Sequence, residues 1–318
     1  MPSPILSLEG NIIHAFENPD GSAVELLREA VAEGLVSHEL NILMDLVPPR
    51  GPSVNRTAHQ PASIALHMPH LELLWAFIYG WVVLYEEAVQ RPWINGTYDG
   101  RILLMTDLER RAAALLEWAS SLRQAYTPWP AGLPSPEHAE SAQERDYALK
   151  VNGIFQYATA FLLYHEFGHV RQRHFGALDP RGRDAAALAT AIQLEHEADD
   201  FAYRVLVAHD DSEHVRSLKG WAVLAPALSS LYLVDGRAGL YQRRHPHLHH
   251  RVANLLAKLD FQNEQSRFYY HYLCSTVLLT FDRAYQANHN MSLTPRIFET
   301  VDEAFEAEMN DLDDFLSR

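Results

Sequence analysis

The sequence predicts a mainly α-helical α+β protein with a small strand component near its N-terminus. From Ala142 onward, apolar residues recur at three- and four-residue spacing over almost the whole chain, which is typical of helices with one buried face. Before residue 110, short β-like runs are separated by turn signals such as "NPDG" and "VPPRGPSVN". We find no internal repeat that would indicate a solenoid or a propeller.

The N-terminal portion, 1–126, is predicted to mix strands with helices. Its β-like runs are "NIIHAF" at 11–16 and "LNILMDLV" at 40–47, and turn residues frame a third predicted strand at 101–106. Helical spacing marks "SAVELLREAVAEGL" at 22–35, a long apolar segment at 68–90, and "LERRAAALLEWASSLRQAY" at 108–126.

A loop rich in proline and glycine, "TPWPAGLPSPEHAES" at 127–141, is the predicted boundary between two portions. The second portion, 142–318, is predicted to be helical, and we expect the two portions to form one compact unit. Its predicted helices are 142–173, 184–209, 212–234, 248–259, 268–288 and 294–317.

Charge and cysteine content limit the classes of function. The chain of 318 residues has 26 Lys and Arg against 41 Asp and Glu, a net charge of −15, and no basic patch. Such a surface repels phosphate backbones, so we predict no nucleic-acid partner. The single cysteine, Cys274, lies in an apolar segment and predicts a buried thiol. With no secretory signal in the first residues, the sequence predicts a cytoplasmic protein.

Three apolar runs begin at Leu73, Trp221 and Tyr269. Each is shorter than the roughly 20 residues that a helix needs to cross a bilayer. We therefore predict buried core helices and no membrane span. Peripheral attachment to a membrane would depend on the run at Leu73 alone.

The stretch "FLLYHEFGHVRQRHFG" contains the pattern HExxH. In a helix, His165 and His169 lie one turn apart on the same face, so that both imidazoles can reach one tetrahedral metal ion. Glu166 is rotated by about 100° from His165, which places it beside the ion, where it can take a proton from water. With 18 histidines in the chain the pattern could arise by chance, but an uncoordinated His-Glu-His face would be costly to bury.

A catalytic zinc takes three protein ligands, and "QLEHEADDFAYRVL" offers the third. Glu195 and Asp199 are four residues apart on one helical face. Glu195 is predicted to bind the ion, and Asp199 to accept a hydrogen bond from the outer ring nitrogen of a ligand histidine. Glu197 and Asp200 are predicted to point away from that face. The alternative is that the acidic face is merely solvated.

A third segment, "RRHPHLHHRVANLL", leads from a loop into a helix. A solvated histidine-rich loop is the simpler interpretation. A histidine fixed by the following proline can nevertheless donate a hydrogen bond to an oxyanion, and His245 is the best placed for this. Arg251 is predicted to anchor its helix against Glu195 or Asp199.

Taken together and in this order, "HEFGH", "EHEADDFA" and "HPHLHHR" resemble the gluzincin metallopeptidases, in particular the CAAX prenyl protease and HtpX families. The resemblance implies a zincin-like fold, a bound Zn2+, and specific site roles. The implied ligands are His165, His169 and Glu195, with Glu166 as base, Asp199 as hydrogen-bond partner of a ligand, and His245 as oxyanion partner. Those two families span membranes, which this sequence does not predict.

The Lit-type phage-exclusion peptidases are a soluble family of similar length, and "LHMPHLELLWAFIYGWVVLYEE" is similar to their N-terminal half. This resemblance implies a cytosolic endopeptidase in antiviral defence that cleaves a host protein, elongation factor Tu, after activation by a peptide or protein during phage infection. The ImmA/IrrE type, which cleaves repressors, also pairs HExxH with a downstream acidic element. The long N-terminal segment and the HP-to-Arg element favour the Lit type.

We therefore predict a zinc-dependent endopeptidase. A rival hypothesis is a non-catalytic sensor in which the same ligands hold zinc as a structural clip. Glu166 separates the two, because a structural site has no use for an unligated carboxylate beside the metal.

Overall fold

Helices dominate the chain, and a small three-stranded sheet lies near the N-terminus, which confirms the predicted fold class. This computed structural model describes residues 2–17, 22–37, 40–56, 60–99, 101–176, 184–207, 212–234, 236–288 and 298–317. Contacts divide the chain into two units, Met1–Phe167 and Gly168–Arg318.

The first unit contains the sheet and the first helices. Its helices are α1 (Glu9–Glu17), α2 (Ser22–Ala32), α3 (Met68–Tyr85), α4 (Arg91–Ile94), α5 (Asp107–Ser121) and the greater part of α6 (Ala142–Arg171). Its strands are β1 (Asn41–Leu43), β2 (Ser53–Asn55) and β3 (Ser63–His67).

The sheet has the order β1-β3-β2, with β1 parallel and β2 antiparallel to the central strand. Ile42 pairs with Leu66, and Val54 pairs with Ile64. The last four residues of β3 are all buried, as expected for a central strand that is covered on both faces. Pro69 near the start of α3 ends the strand, because its ring has no N–H for the sheet and fits the first helical turn.

Helix α3 forms the core of this unit, and every one of its residues is buried. It packs against α5, and Gly80 of α3 lies against Leu116 of α5. A Cβ atom at Gly80 would lie 2.2 Å from Cγ of Leu116, so only glycine permits this approach without displacing that leucine. The predicted helix 68–90 is confirmed, with its last five residues, Glu86–Gln90, in a π-helical turn.

Two of the strand predictions are wrong. "NIIHAF" lies in α1, because Leu8, Ile12 and Phe16 are buried at a four-residue spacing that a six-residue window conceals. The predicted strand 101–106 is irregular, since its side chains from 102 to 105 are exposed and have no buried face. Its last backbone N–H groups instead donate to the Glu109 carboxylate in the capping box that begins α5. Within 40–47, only β1 is a strand.

Among its described residues, the second unit contains helices joined by turns and irregular segments, and no strand. It contains the last residues of α6, followed by α7 (Ala185–Leu206), α8 (Glu213–Ser230), α9 (Leu248–Leu259), α10 (Glu264–Asn288) and α11 (Val301–Leu316). These helices follow the predicted segments, except that α11 begins at Val301, where Thr300 caps it, so the prediction of helix at 298–300 is wrong. The predicted helix end at 208–209 and the predicted start at 294–297 lie outside the described residues.

Close packing and buried charge pairs hold the second unit together. Helix α8 packs against α9, and α10 packs against α11. A Cβ atom at Gly220 would lie 2.5 Å from the ring of Tyr270, whose hydroxyl donates to the carbonyl of Ser217 at 2.6 Å. Arg237 donates to both carboxylate oxygens of Asp282, and both side chains are buried. Cys274 is fully buried, as predicted.

The division by contacts falls inside α6 and not in the loop 127–141. Contacts within one chain do not show which segments fold independently, so the boundary at 127–141 stays a prediction. The apolar runs at Leu73 and Trp221 are buried in α3 and α8. Among the described residues, every helix is too short or too polar to traverse a bilayer.

The buried carboxyl group of Glu72 generates a prediction about the pH dependence of stability. Burial raises its pKa to about 7, and the nearby Ser3 side chain offsets this only in part. Between the ordinary pKa of 4.5 and pH 7, the unfolded chain ionises this group while the folded chain keeps it protonated. The free energy of unfolding therefore falls as the pH rises, by roughly 3 kcal/mol in total, and is fully restored below pH 4.5.

The variant Glu72→Gln lacks this titration. We expect it to gain stability over the wild type by a margin that grows from pH 5 to pH 8, measured by urea unfolding at each pH. Glu25→Gln, at an exposed position of α2, is the control. A margin that is the same at every pH would show that Glu72 is not protonated in the folded state.

Candidate active site

The candidate site begins on the last two turns of α6, a single helix of 30 residues. His165 and His169 lie one turn apart on it, and their residues are only 5% and 7% exposed. Buried aromatic and aliphatic residues precede them, among them Phe161, Leu163 and Tyr164. The helical period thus brings two imidazoles to one side of a rigid and largely dry helix.

Helix α7 approaches the end of α6 at Gly168. A Cβ atom there would lie 3.4 Å from Cα of Ala198 and 3.2 Å from Cδ1 of Phe201, so the two helices nearly touch at small residues. Helix α7 is capped by Asp184, whose side chain accepts a hydrogen bond from the N–H of Ala187 at 2.8 Å. This approach brings the acidic segment of α7 next to His169.

His165, His169 and Glu195 converge. Each offers one ligand atom, and the three atoms lie within 4.8 Å of one another. Nε2 of His169 is 3.5 Å from Oε1 of Glu195, whose side chain is 12% exposed. Two imidazole nitrogens and one carboxylate oxygen are a donor set of catalytic zinc sites, so the residues present fit this metal. Glu166 lies next to His165 on α6 and is partly exposed.

His245 lies beside the same carboxylate. Its Nδ1 is 3.0 Å from Oε2 of Glu195, and its side chain is 56% exposed. The HP segment therefore reaches the candidate site, and the role of His245 as oxyanion partner stays a prediction. In this conformation, however, the imidazole contacts the proposed ligand Glu195, an arrangement that the sequence did not indicate.

Asp199 and Arg251 form a bidentate ion pair. Nε of Arg251 donates to Oδ2 of Asp199 at 2.9 Å, and Nη2 donates to Oδ1 at 2.6 Å. The Asp199 side chain is only 3% exposed, and that of Arg251 is 16% exposed. Of the two partners predicted for Arg251, the structure selects Asp199, and the pair fastens α9 to α7. A buried pair of this geometry is costly to break, since either partner alone would be an unpaired charge.

His174 was not among the predicted site residues, yet it contacts a proposed ligand. Its Nδ1 is 2.9 Å from Nδ1 of His169, and the residue is only 2% exposed. Its Nε2 is 3.3 Å from Oε2 of Glu197. The sequence predicts that Glu197 points away from the site; its side chain is 39% exposed but reaches His174. The signal available in the sequence was a histidine five residues after the motif.

The contact between His174 and His169 depends on a turn after α6. In this turn Arg173 has a φ of 58°, in the left-handed region that residues other than glycine seldom adopt. A 3-10 turn, His174–Gly176, follows. The reversal ends the helix and returns His174 to the side of His169. A prediction that continues the helix to residue 173 cannot place His174 there.

The other histidines of "HPHLHHR" have different surroundings. His247 accepts a hydrogen bond from the N–H of Gln242 at 3.2 Å. His249 is fully buried, and its Nε2 and that of His250 lie 2.8 Å and 2.7 Å from the same oxygen of Asp313 on α11. The segment is thus not a uniformly solvated tract.

His249, His250 and Asp313 are a second group whose ligand atoms lie within 4.8 Å. Burial lowers the pKa of His249, which favours the neutral ring, and its Nδ1 is buried without a hydrogen-bond partner among the described residues. A neutral ring that carries its proton on Nε2 satisfies Asp313 and leaves Nδ1 as a bare lone pair. Metal binding through Nε2 would move the proton to Nδ1, where no acceptor lies among the described residues. The group is therefore better explained as a hydrogen-bonded link between α9 and α11.

Comparison with known proteins identifies the family. Comparisons with curated proteins and with solved structures gave no match. The model of the family described as peptidase U49 matches residues 64–273, which is well over half of the chain. The match includes the whole of α6, α7, α8 and α9, and hence all the residues of the candidate site. The chain therefore belongs to the peptidase U49 family.

Proposed function

We propose that the chain is a zinc-dependent endopeptidase that hydrolyses a peptide bond in a cytosolic protein. The observation that carries the proposal is the convergence of His165, His169 and Glu195, with Glu166 directly after the first ligand. Membership of a peptidase family supports the reaction class.

His165, His169 and Glu195 would hold the ion. Zinc, when bound, supplies a Lewis acid that polarises the substrate carbonyl and stabilises negative charge on its oxygen. The protein residues carry the proton transfers. Glu166 accepts a proton from the attacking water and passes it to the leaving amine, the general acid–base role that suits a carboxylate beside the reaction centre. His245 donates a hydrogen bond to the carbonyl oxygen as charge develops there.

The most specific part of the proposal is the identity of the substrate. The Lit-type resemblance supports a host protein in the cytoplasm, with elongation factor Tu as the first candidate, in a phage-exclusion response triggered by an activating peptide or protein. An intracellular substrate would suit the single, buried Cys274, since such a chain needs no oxidising compartment.

Two other functions use the same residues. A repressor-cleaving enzyme of the ImmA/IrrE type would differ only in its substrate. In a non-catalytic zinc sensor, Glu166 would have no role. The partly exposed Glu166, in contrast to its buried neighbours His165 and Phe167, favours the enzyme, because a proton acceptor must be reached by water.

The metal assignment predicts about one zinc per chain in purified protein, measured by elemental analysis. His169→Ala should lose most of this zinc, because one of three ligands is removed. His214→Ala, which removes an exposed histidine of α8, is the matched control and should keep its zinc. Equal zinc content in the two variants would contradict the assignment.

The assignment of the base predicts that Glu166→Gln keeps its fold and its zinc and loses cleavage, because an amide cannot accept the proton of water. We would incubate purified elongation factor Tu with each protein and also compare the proteomes of cells that express them. Fragments produced by the wild type and absent with Glu166→Gln would identify the substrate. If Glu166→Gln yields the same fragments as the wild type, another residue is the base.

The role of His245 predicts that His245→Ala lowers turnover by about 10² to 10³ and leaves zinc content nearly unchanged, because the hydrogen bond forms only as charge develops. His250→Ala, from the same segment but in contact with Asp313, is the control. The contact between His245 and Glu195 suggests the opposing result. Loss of zinc by His245→Ala would show that His245 supports the ligand Glu195 and not the oxyanion.

A further inference from the structure

His169 lies between two groups that constrain where its ring can carry a proton. On one side its Nε2 faces Oε1 of Glu195 at 3.5 Å, and on the other its Nδ1 is 2.9 Å from Nδ1 of His174. Both nitrogens are thus in contact with polar partners inside a buried site. Two ring nitrogens at hydrogen-bond distance can share only one proton, so one ring must donate and the other must accept.

Metal binding decides which ring donates. If Nε2 of His169 binds the metal, as proposed, that ring carries its proton on Nδ1 and can donate it to Nδ1 of His174. His174 then accepts on Nδ1 and carries its own proton on Nε2. Oε2 of Glu197 lies 3.3 Å from that Nε2, which is an ion-pair distance, but the two atoms are not aligned as a hydrogen bond.

We propose that His174 is a positioning residue that fixes the orientation and the tautomer of His169, and that the nearby carboxylate of Glu197 favours the form of His174 that carries its proton on Nε2. The inference rests on the proposed function, in which His169 is a metal ligand. It assigns to His174 and Glu197, for His169, the support that the sequence predicts for Asp199. Both oxygens of Asp199 accept hydrogen bonds from Arg251, and its role towards a ligand histidine stays a prediction.

The surroundings of the three residues hold the arrangement in place. The left-handed turn at Arg173 sets His174 against His169, with the two rings nearly perpendicular at 78° and their centroids 5.0 Å apart. Glu197 is held on its other oxygen, since Nε2 of Gln193 donates to its Oε1 at 3.1 Å. The backbone carbonyl of Glu197 also accepts from Nε2 of Gln172 at 3.3 Å, which joins the end of α6 to α7.

Glu197 is accessible from outside. It lines a cavity of about 320 Å³ together with other polar and charged residues, which are Gln172, Asp200, Tyr203, Arg204 and Lys258. The row of contacts from His169 through His174 thus ends at Glu197, a side chain that can be substituted without leaving a cavity in the buried core. This provides a second variant that tests the same proposal with little risk to folding.

The test compares zinc affinity, measured by competition with a chromophoric chelator, and the visible absorption of the Co2+-substituted protein. His174→Ala should bind zinc about 10- to 100-fold more weakly, the usual loss when the partner of a ligand histidine is removed. Its Co2+ bands should shift, because the ring of His169 is no longer fixed. Glu197→Ala should change both measurements in the same direction and by less.

Two further variants separate positioning from a general loss of structure. His174→Asn keeps an acceptor oxygen near the position of Nδ1 and should recover most of the affinity. His249→Ala also removes a fully buried histidine of the same unit, but one that contacts Asp313, and should leave zinc affinity and Co2+ bands unchanged.

The outcomes are distinct. Weaker binding and shifted bands in His174→Ala, with recovery in His174→Asn, support the positioning role. Wild-type protein that binds no zinc overturns the proposed function and the inference with it. Zinc binding by the wild type, with equal affinity and equal Co2+ bands in His174→Ala, overturns the positioning role alone, and so does an equal loss in His249→Ala.

Discussion

The close approach of α7 to the end of α6 at Gly168 is the constraint on which the candidate site depends. Helix axes normally stay apart by the width of two layers of side chains, and this distance shrinks where both helices present small residues. Gly168 and Ala198 supply such residues, since a Cβ atom at Gly168 would lie only 3.4 Å from the opposing Cα. That proximity brings Nε2 of His169 within 3.5 Å of Glu195. A side chain at 168 would require α7 or the ring of Phe201 to shift by a few tenths of an ångström.

The acidic run of α7 shows how the charges of this region are paired. Each of its four carboxylates contacts a different basic side chain or pair of side chains. Glu195 faces His169 and His245, Glu197 faces His174, Asp199 binds Arg251, and Asp200 pairs with Lys258. The sequence of this run is typical of a solvated acidic face, but its partners lie on α6, the turn after α6, the HP segment and α9. Removing one partner affects the position of the helix as well as the local charge.

The same principle separates the two histidine clusters of the second unit. At the candidate site, the outer ring nitrogen of His169, Nδ1, is 2.9 Å from Nδ1 of His174, and its inner nitrogen, Nε2, faces Glu195. In the cluster around Asp313, the outer nitrogen of His249 is buried without a partner among the described residues, and the inner nitrogen is committed to the carboxylate. Proximity of ligand atoms is common to both clusters. The surroundings of the outer nitrogens distinguish a site that suits a metal from a structural contact.

The sequence by itself determined the helical class and the relation between His165 and His169, because a period of 3.6 residues is a local property that places i and i+4 on one face. The same rule placed Glu195 and Asp199 together on α7. It did not determine the strands, since the short "NIIHAF" run fits either period and β3 is buried on both faces and does not alternate. Only the tertiary structure decided that Asp199 binds Arg251 and that His174 returns to His169. The first contact joins residues of different helices, and the second requires the left-handed turn at Arg173, which no local preference for arginine predicts.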